Sequence, residues 1–276
     1  MAAADQGNIA FLGAGSMGGA ILSGLLASGY PAASIRATTS SRASAEKLAA
    51  DHSIVAVSGE SNERANLDAA EWADVVVLGV KPYRIVELVG RIAPALASSG
   101  TLVVSVAAGI TIDAIVQAAP GAAVVRAMPN TPSLIGRGMA GVAAGGSASD
   151  DDLEAARAIL RSVGDVLTVD EAQMDAVGAI CGSGPAYYFA FTEALIEAGK
   201  ALGLSAEDAG TLAVRTAAGA GALMVESGTD PATLRSNVTS PGGTTEAALK
   251  HFGPLAGMIA DATAAAVDRS REMSRP

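Results

Sequence analysis

Short apolar runs recur through the first part of the chain, separated by longer stretches in which apolar residues return every three or four positions. Residues 8–13 (NIAFLG), 34–39 (SIRATT), 74–80 (DVVVLGV), 101–107 (TLVVSVA) and 122–128 (AAVVRAM) predict strands, and the intervening stretches predict helices. Such alternation predicts βαβ units and a mainly parallel, doubly wound α/β sheet. Residues 138–145 (GMAGVAAG) and 164–169 (GDVLTV) would add edge strands around the helix DDLEAARAILRSV. After Val169 the strand pattern stops, and EAQMDAVGAI, PAYYFAFTEALIEAGKAL, SAEDAGTLAVRTAAGAGALMVES, GGTTEAALKHF and GPLAGMIADATAAAVDRSREM all read as helices. The expectation is an α/β domain over residues 1–169 and an all-helical domain over 170–276. No linker-like composition separates them, so they are expected to pack together.

Composition changes this picture in three ways. Apolar residues make up 50% of the chain but aromatics only 3%, so the core must be built from Ala, Val, Leu and Ile, whose small size lets helices approach closely. A net charge of −10 argues against a nucleic-acid partner, which needs a basic face, and means that an anionic substrate requires local donors. Cys181 stands alone, which excludes an intrachain disulfide and fits a reducing, cytoplasmic setting. The uncharged stretch 6–35 has no preceding Lys or Arg and is interrupted by glycines, and the stretch 92–112 is broken by Pro94 and the turn signal Ser98-Ser99-Gly100. Neither reads as a membrane segment, and no metal is expected.

The first run leads directly into Gly13, Gly15 and Gly18, a GxGxxG that also contains Ser16 and Met17 and opens the helix-like MGGAILSGLLAS. In that setting the motif signals dinucleotide binding: the glycines allow a tight turn, and the helix N-terminus offers free N–H groups to a pyrophosphate. An acid about 20 residues further on would favour NADH by binding the ribose 2′-hydroxyl. None occurs between Gln6 and Ala45, and the second run ends in Thr39, Ser40 and Arg42. Hydroxyls beside a guanidinium suit a 2′-phosphate, so NADPH is favoured, with NADH still admissible.

Reduction of a ketone requires a donor to protonate the alkoxide, usually His, Lys or Tyr. His52 and His251 lie in solvated or capping settings, and Lys200 has no Asn four residues later, as a 3-hydroxyacid dehydrogenase would require. A cyclic imine is less demanding, because its nitrogen is already basic and a hydroxyl hydrogen bond suffices. That makes TSPGGTTEAAL (239–249) intelligible: Gly242, Gly243, Thr244 and Thr245 would offer N–H groups to a carboxylate at a helix start, and Thr245 a hydroxyl to nitrogen. The same segment also reads as an ordinary Pro-Gly turn with a capping Thr. A 3-hydroxyacid-type NADP-dependent dehydrogenase and a non-catalytic NADPH-binding regulator remain as alternatives.

VVRAMPNTP (124–132), GSGPAYYF (182–189) and VTSPGGTTEAAL (238–249), together with GAGSMG and GVKP, resemble the pyrroline-5-carboxylate reductase family over nearly the whole chain. The resemblance implies an N-terminal Rossmann domain, a helical C-terminal dimerisation domain, and reduction of 1-pyrroline-5-carboxylate to L-proline by NAD(P)H. It also implies a homodimer, with further association into decamers known in the family. By position, it implies Thr245 at the imine nitrogen, and Ser240, Gly242, Gly243 and Thr244 around the substrate carboxylate. Asn66, Lys81 and Pro82, with Ala107, Ala108 and Gly109, match cofactor-contacting stretches. Arg126, an inward cation of the structurally paired kind, stays outside the expected site.

Overall fold

The computed structural model describes residues 7–145 and 147–273. They form two compact units, one running through Gly182 and including the residues from Ala266 onward, the other comprising Ser183–Ala265. Strand content ends at Thr168, where the alternating pattern runs out, but the compact first unit continues to Gly182.

The first unit alternates β1 (Ile9–Leu12), α1 (Ser16–Ala27), β2 (Ile35–Thr39), α2 (Arg42–His52), β3 (Val55–Ser58), α3 (Ala65–Trp72), β4 (Val75–Leu78), α4 (Ile85–Ser99), β5 (Leu102–Ser105), α5 (Ile112–Ala118) and β6 (Ala123–Met128). β7 (Gly138–Ala144), α6 (Asp150–Arg161), β8 (Gly164–Thr168) and α7 (Met174–Val177) follow. The strands form one sheet in the order β3-β2-β1-β4-β5-β6-β7-β8. All neighbours from β3 to β6 pair in parallel, β7 runs antiparallel to β6, and β8 is parallel to β7. This is the expected Rossmann-type arrangement, with its topological switch at β1 and β4.

Helices cover both faces of the sheet, so the central strands carry apolar residues on both sides. On β1, Ala10 and Leu12 join a core with Ile85, Val89 and Ile92 of α4, whereas Ile9 and Phe11 join the opposite core with Ile21, Leu22 and Leu25 of α1. α4 keeps its buried face at Ile85, Leu88, Val89, Ile92 and Leu96, the helical spacing. Pro94 lies inside this helix, exposed, and does not end it; Gly100, at φ 67°, does. β3 is a strand that the run pattern does not predict. It sits at the sheet edge with Val55 56% exposed, and it follows a helix capped in the left-handed region by Ser53 rather than by glycine.

Close packing depends on missing side chains. At Gly24 of α1, an added Cβ would clash with Val163 and stand 2.7 Å from the Ser162 carbonyl oxygen, just ahead of β8.

Among the described residues one charged side chain is buried in the interior, beside a few buried hydroxyls. Arg126 of β6 is 3% exposed and pairs with Glu171 (3.4 Å) and Asp175 (3.8 Å), in keeping with a structural role. Glu171 also accepts the Ile112 backbone N–H at 2.6 Å, fixing the start of α5, and Asp175 accepts the Ser270 hydroxyl at 2.7 Å. Arg271 approaches Asp175 at 3.7 Å. These charges line a cavity of about 370 Å³ with Thr111 and Ala172.

The second unit is wholly helical: α8 (Gly184–Ala201), α9 (Ala206–Ser227), α10 (Pro231–Asn237), α11 (Thr244–Leu249) and the first part of α12 (Leu255–Met273). Ser205 and Asp230 cap α9 and α10 by accepting backbone N–H groups three residues on. At Gly199 an added Cβ would stand 3.1 Å from the Ala209 Cβ, so α8 and α9 meet through small residues. Within Ser183–Ala265 only Gly184, Ala209 and Ala213 are buried. Tyr188 and Phe189 are each 66% exposed, Val225 79% and Leu202 86%.

Two stability measurements test this packing. Gly24→Ala is expected to lower the urea unfolding free energy by about 1–3 kcal/mol, the usual effect of overpacking; an unchanged midpoint would show that α1 can shift. Glu171→Ala strands the Ile112 N–H and weakens the pairing of a buried cation, so it should cost about 1–3 kcal/mol. Glu272→Ala, which breaks an exposed pair with Arg269, should cost less than about 1 kcal/mol. Equal losses in the two variants would remove Glu171 from any special structural role.

Candidate functional site

The glycine turn after β1 is built by its neighbours. Gly13 has φ 82°, a conformation in which a side chain is strained, and its N–H donates to both the backbone oxygen and the hydroxyl of Thr38, each at 3.1 Å. The Thr38 hydroxyl in turn donates to Asn66 Oδ1 at 2.6 Å. The end of β2 and the start of α3 therefore hold the turn in place. A Cβ at Gly79, just after β4, would stand 2.6 Å from the Gly13 carbonyl oxygen, so the two strand ends touch at the switch point.

Gly15 caps α1 with no side-chain hydrogen bond, and the first turn of α1 contains no acid. A Cβ at Gly15 would meet no atom within 4 Å. The outcome is an open helix N-terminus whose N–H groups and positive dipole end face available space. Ser16 is exposed at this end, whereas Met17 packs its side chain against the core and offers only its backbone. Gly18 is buried and lies close to the Gly13 carbonyl.

The other expected cofactor residues line up along the same edge. Thr39 ends β2 and Ser40 follows it, Lys81 and Pro82 follow β4, and Ala107, Ala108 and Gly109 follow β5. All therefore lie at the carboxyl ends of adjacent parallel strands, where open α/β sheets bind ligands. Asn66 lines a cavity of about 310 Å³ with Val80, Arg84, Glu87, Leu88 and Arg91. The α4 residues of this lining were not expected. Arg84 and Arg91 are seven residues apart, two helical turns, and that spacing was the available signal.

The β2–α2 turn differs in detail from a simple row of free donors. The Thr39 hydroxyl donates to the Ser41 carbonyl at 2.8 Å, and Ser41 caps α2 by accepting from Ser44. Ser40 and Arg42 are exposed. The Arg42 backbone N–H donates to Glu60 Oε2 at 3.0 Å, bringing to this turn a carboxylate from the segment after β3.

In the second unit, Ser240, Gly242, Gly243, Thr244 and Thr245 form one tight turn into α11. Gly242, at φ 73°, donates its N–H to Glu246 Oε2 at 2.8 Å, and Gly243 donates to the Ser240 carbonyl at 3.0 Å. Thr244 and Thr245, the first residues of α11, have N–H groups with no intrahelical acceptor. Thr245 is half-buried and Thr244 exposed.

Two of the usual proton donors have partners elsewhere. Lys200 pairs with Glu197 at 2.9 Å on an exposed helix face, and His52 lies 3.4 Å from the Ser23 hydroxyl at the end of α2. The Cys181 thiol donates to the Met139 carbonyl at 3.1 Å, and burial raises its pKa, the reverse of an activated nucleophile. Among the described residues no cluster of His, Cys, Asp or Glu could hold a metal ion.

The family described as pyrroline-5-carboxylate reductase dimerisation matches residues 171–273, and the family described as NADP oxidoreductase, coenzyme F420-dependent, matches residues 8–109. A pyrroline-5-carboxylate reductase of Corynebacterium melassecola is 43% identical, with 97% of this chain and 98% of that protein covered. That of Pseudomonas aeruginosa is 44% identical, with 96% of each covered. Among solved structures, a pyrroline-5-carboxylate reductase from Coxiella burnetii aligns with a TM-score of 0.92 at 37% identity, covering 99% of this chain and 100% of that one. The Plasmodium falciparum pyrroline carboxylate reductase with NADP bound aligns with a TM-score of 0.84 at 27% identity, covering 98% and 99%. With close relatives matched from end to end, this chain belongs to the pyrroline-5-carboxylate reductase family.

Proposed function

We infer that this chain reduces the cyclic imine 1-pyrroline-5-carboxylate to L-proline, the last step of proline biosynthesis, with NADPH as the preferred hydride donor and NADH as a second one. The observation that carries this reading is identity of 43–44% over at least 96% of the chain to enzymes that carry that name. Residues 1–169 serve as the dinucleotide-binding part and 170–276 as the substrate-binding and dimerisation part.

The residues present fit a dinucleotide. The uncapped α1 N-terminus, the open space at Gly15 and the positive φ of Gly13 make a cradle for a pyrophosphate, held by the backbone of Gly13, Gly15, Ser16, Met17 and Gly18. Thr39, Ser40 and Arg42 receive the 2′-phosphate, and Asn66, Lys81 and Pro82, with Ala107, Ala108 and Gly109, contact the cofactor around the ribose and nicotinamide. When bound, the cofactor supplies a hydride to the imine carbon.

The chain's own residues then have modest tasks. The Thr245 hydroxyl accepts a hydrogen bond from the N–H of the protonated imine, whose proton stays on nitrogen to leave an amine once the adjacent carbon gains hydride. Ser240, Gly242, Gly243 and Thr244 hold the substrate carboxylate, which displaces Glu246 from the Gly242 N–H. No alkoxide forms, so no strong general acid is needed, and the engagement of Lys200 by Glu197 is no obstacle. That engagement disfavours a lysine-dependent hydroxyacid dehydrogenase.

The exposed aromatic and aliphatic residues of α8 and α9 support a homodimer formed through the helical part, from which decamers can assemble. The net charge of −10 disfavours nucleic acid as a partner. Among the described residues no helix is long and apolar enough to cross a membrane, and we assign the enzyme to the cytoplasm.

Purified protein should consume NADPH only when pyrroline-5-carboxylate is added, followed by absorbance; silence on the imine would overturn the assignment. Thr245→Val should lower kcat about 100-fold while the KM for NADPH stays within about threefold, because only a hydrogen bond in the reaction step is lost. Full activity in that variant would remove Thr245 from the mechanism. Sedimentation at micromolar concentration should give a dimer or a multiple of it, and a monomer would refute the pairing.

A further inference from the structure

The rule for reading nicotinamide preference looks for an acid at the end of β2, where it binds the ribose 2′-hydroxyl and repels a 2′-phosphate. This sequence has none there. The fold nevertheless delivers one from another strand. Glu60, in the turn after β3, places Oε2 3.0 Å from the backbone nitrogen of Arg42, the first residue of α2.

The turn that carries Glu60 is firmly tied. Gly59 donates its N–H to the Thr39 carbonyl at 2.9 Å, joining the turn to the end of β2. Ser58, 1% exposed, holds the rest: its hydroxyl accepts the Ser61 N–H at 3.1 Å and meets the Ser61 hydroxyl at 2.8 Å, and its carbonyl accepts the Asn62 N–H at 3.0 Å. Glu60 is therefore directed at the α2 N-terminus beside Thr39, Ser40 and Arg42. A helix N-terminus favours an anion, and here the chain provides its own.

We propose that Glu60 is a specificity-determining residue for the dinucleotide, competing with a 2′-phosphate for the α2 N-terminus and keeping the preference for NADPH over NADH narrow. The proposal rests on the reading of Thr39, Ser40 and Arg42 as the 2′-phosphate subsite. A phosphate seated there needs the N–H that Glu60 occupies, and its charge lies beside that carboxylate. To bind NADPH, the chain must turn Glu60 away. NADH makes no such demand, and its 2′-hydroxyl can donate to the same carboxylate.

The test compares wild type, Glu60→Gln and Arg42→Ala as full-length enzymes. Glu60→Gln keeps an oxygen that can accept the Arg42 N–H but removes the charge, so the fold of the turn is preserved. The ratio of kcat/KM for NADPH to that for NADH should rise about five- to tenfold in Glu60→Gln, through KM rather than kcat, as expected for one like charge removed beside a phosphate. Calorimetry with adenosine 2′,5′-bisphosphate and with 5′-AMP should show the same gain for the bisphosphate alone, independently of turnover. If Arg42→Ala weakens the bisphosphate selectively while Glu60→Gln leaves both ratios within about twofold, Glu60 has no such role and the subsite reading stands. If Arg42→Ala affects both nucleotides alike, the subsite lies elsewhere and the proposal fails with it.

Discussion

The architecture of the first unit depends on covering both faces of one sheet with helices that come very close. Its central strands must then be apolar on both sides, as in β1, where alternate residues enter opposite cores. A chain with few aromatic residues meets that demand through small side chains, and at Gly24 and Gly79 through none. The same economy brings the ends of β1 and β4 into contact. The dinucleotide cradle is thus a by-product of how the sheet is packed: the switch point is narrow because glycines allow it, and the helix N-terminus stays open because no side chain of the turn reaches back to close it.

Much of this was legible in the order of residues. Apolar runs are long enough in β1, β4, β5 and β6 to stand out, and the change to a helical period after Val169 marks the end of the sheet. β3 was not legible, because an edge strand of four residues with Val55 facing solvent lacks a run, and because Ser53 stops α2 in a conformation usually given to glycine. The run EAQMDAVGAI (171–180) reads as simple helix, but from Gly178 to Gly182 the chain winds as a π-turn between α7 and α8, which no periodicity reveals. At the site, the glycine motif and the hydroxyl-rich turns could be read because each occupies contiguous positions. Glu60 could not, since folding brings it to the β2–α2 turn from a position that carries no local motif, and Arg84 and Arg91 share nothing but a helical spacing.

A common principle links the two loops proposed to receive anions. In each, a backbone N–H that a ligand would use is already satisfied by a carboxylate of the chain: Arg42 by Glu60, and Gly242 by Glu246. Donors exposed at a helix start lose little by such pairing, and the loop gains a defined shape before any ligand arrives. Under the proposed assignment, binding at either position is an exchange of one anion for another rather than the filling of a bare site. In a chain as acidic as this one, that exchange sets local selectivity against a background that repels anions in general.

The scarcity of buried residues in Ser183–Ala265 reaches beyond catalysis. Helices with almost no interior of their own obtain their burial from a second copy, so part of the folding free energy is a mass-action quantity. Dilution then acts like a mild denaturant. A newly synthesised chain spends its early life with aromatic side chains in water, and the time it waits for a partner depends on how abundantly it is made. Expression level thereby becomes a determinant of folding yield, and substitutions that merely slow pairing would reduce the amount of enzyme without touching any residue of the site.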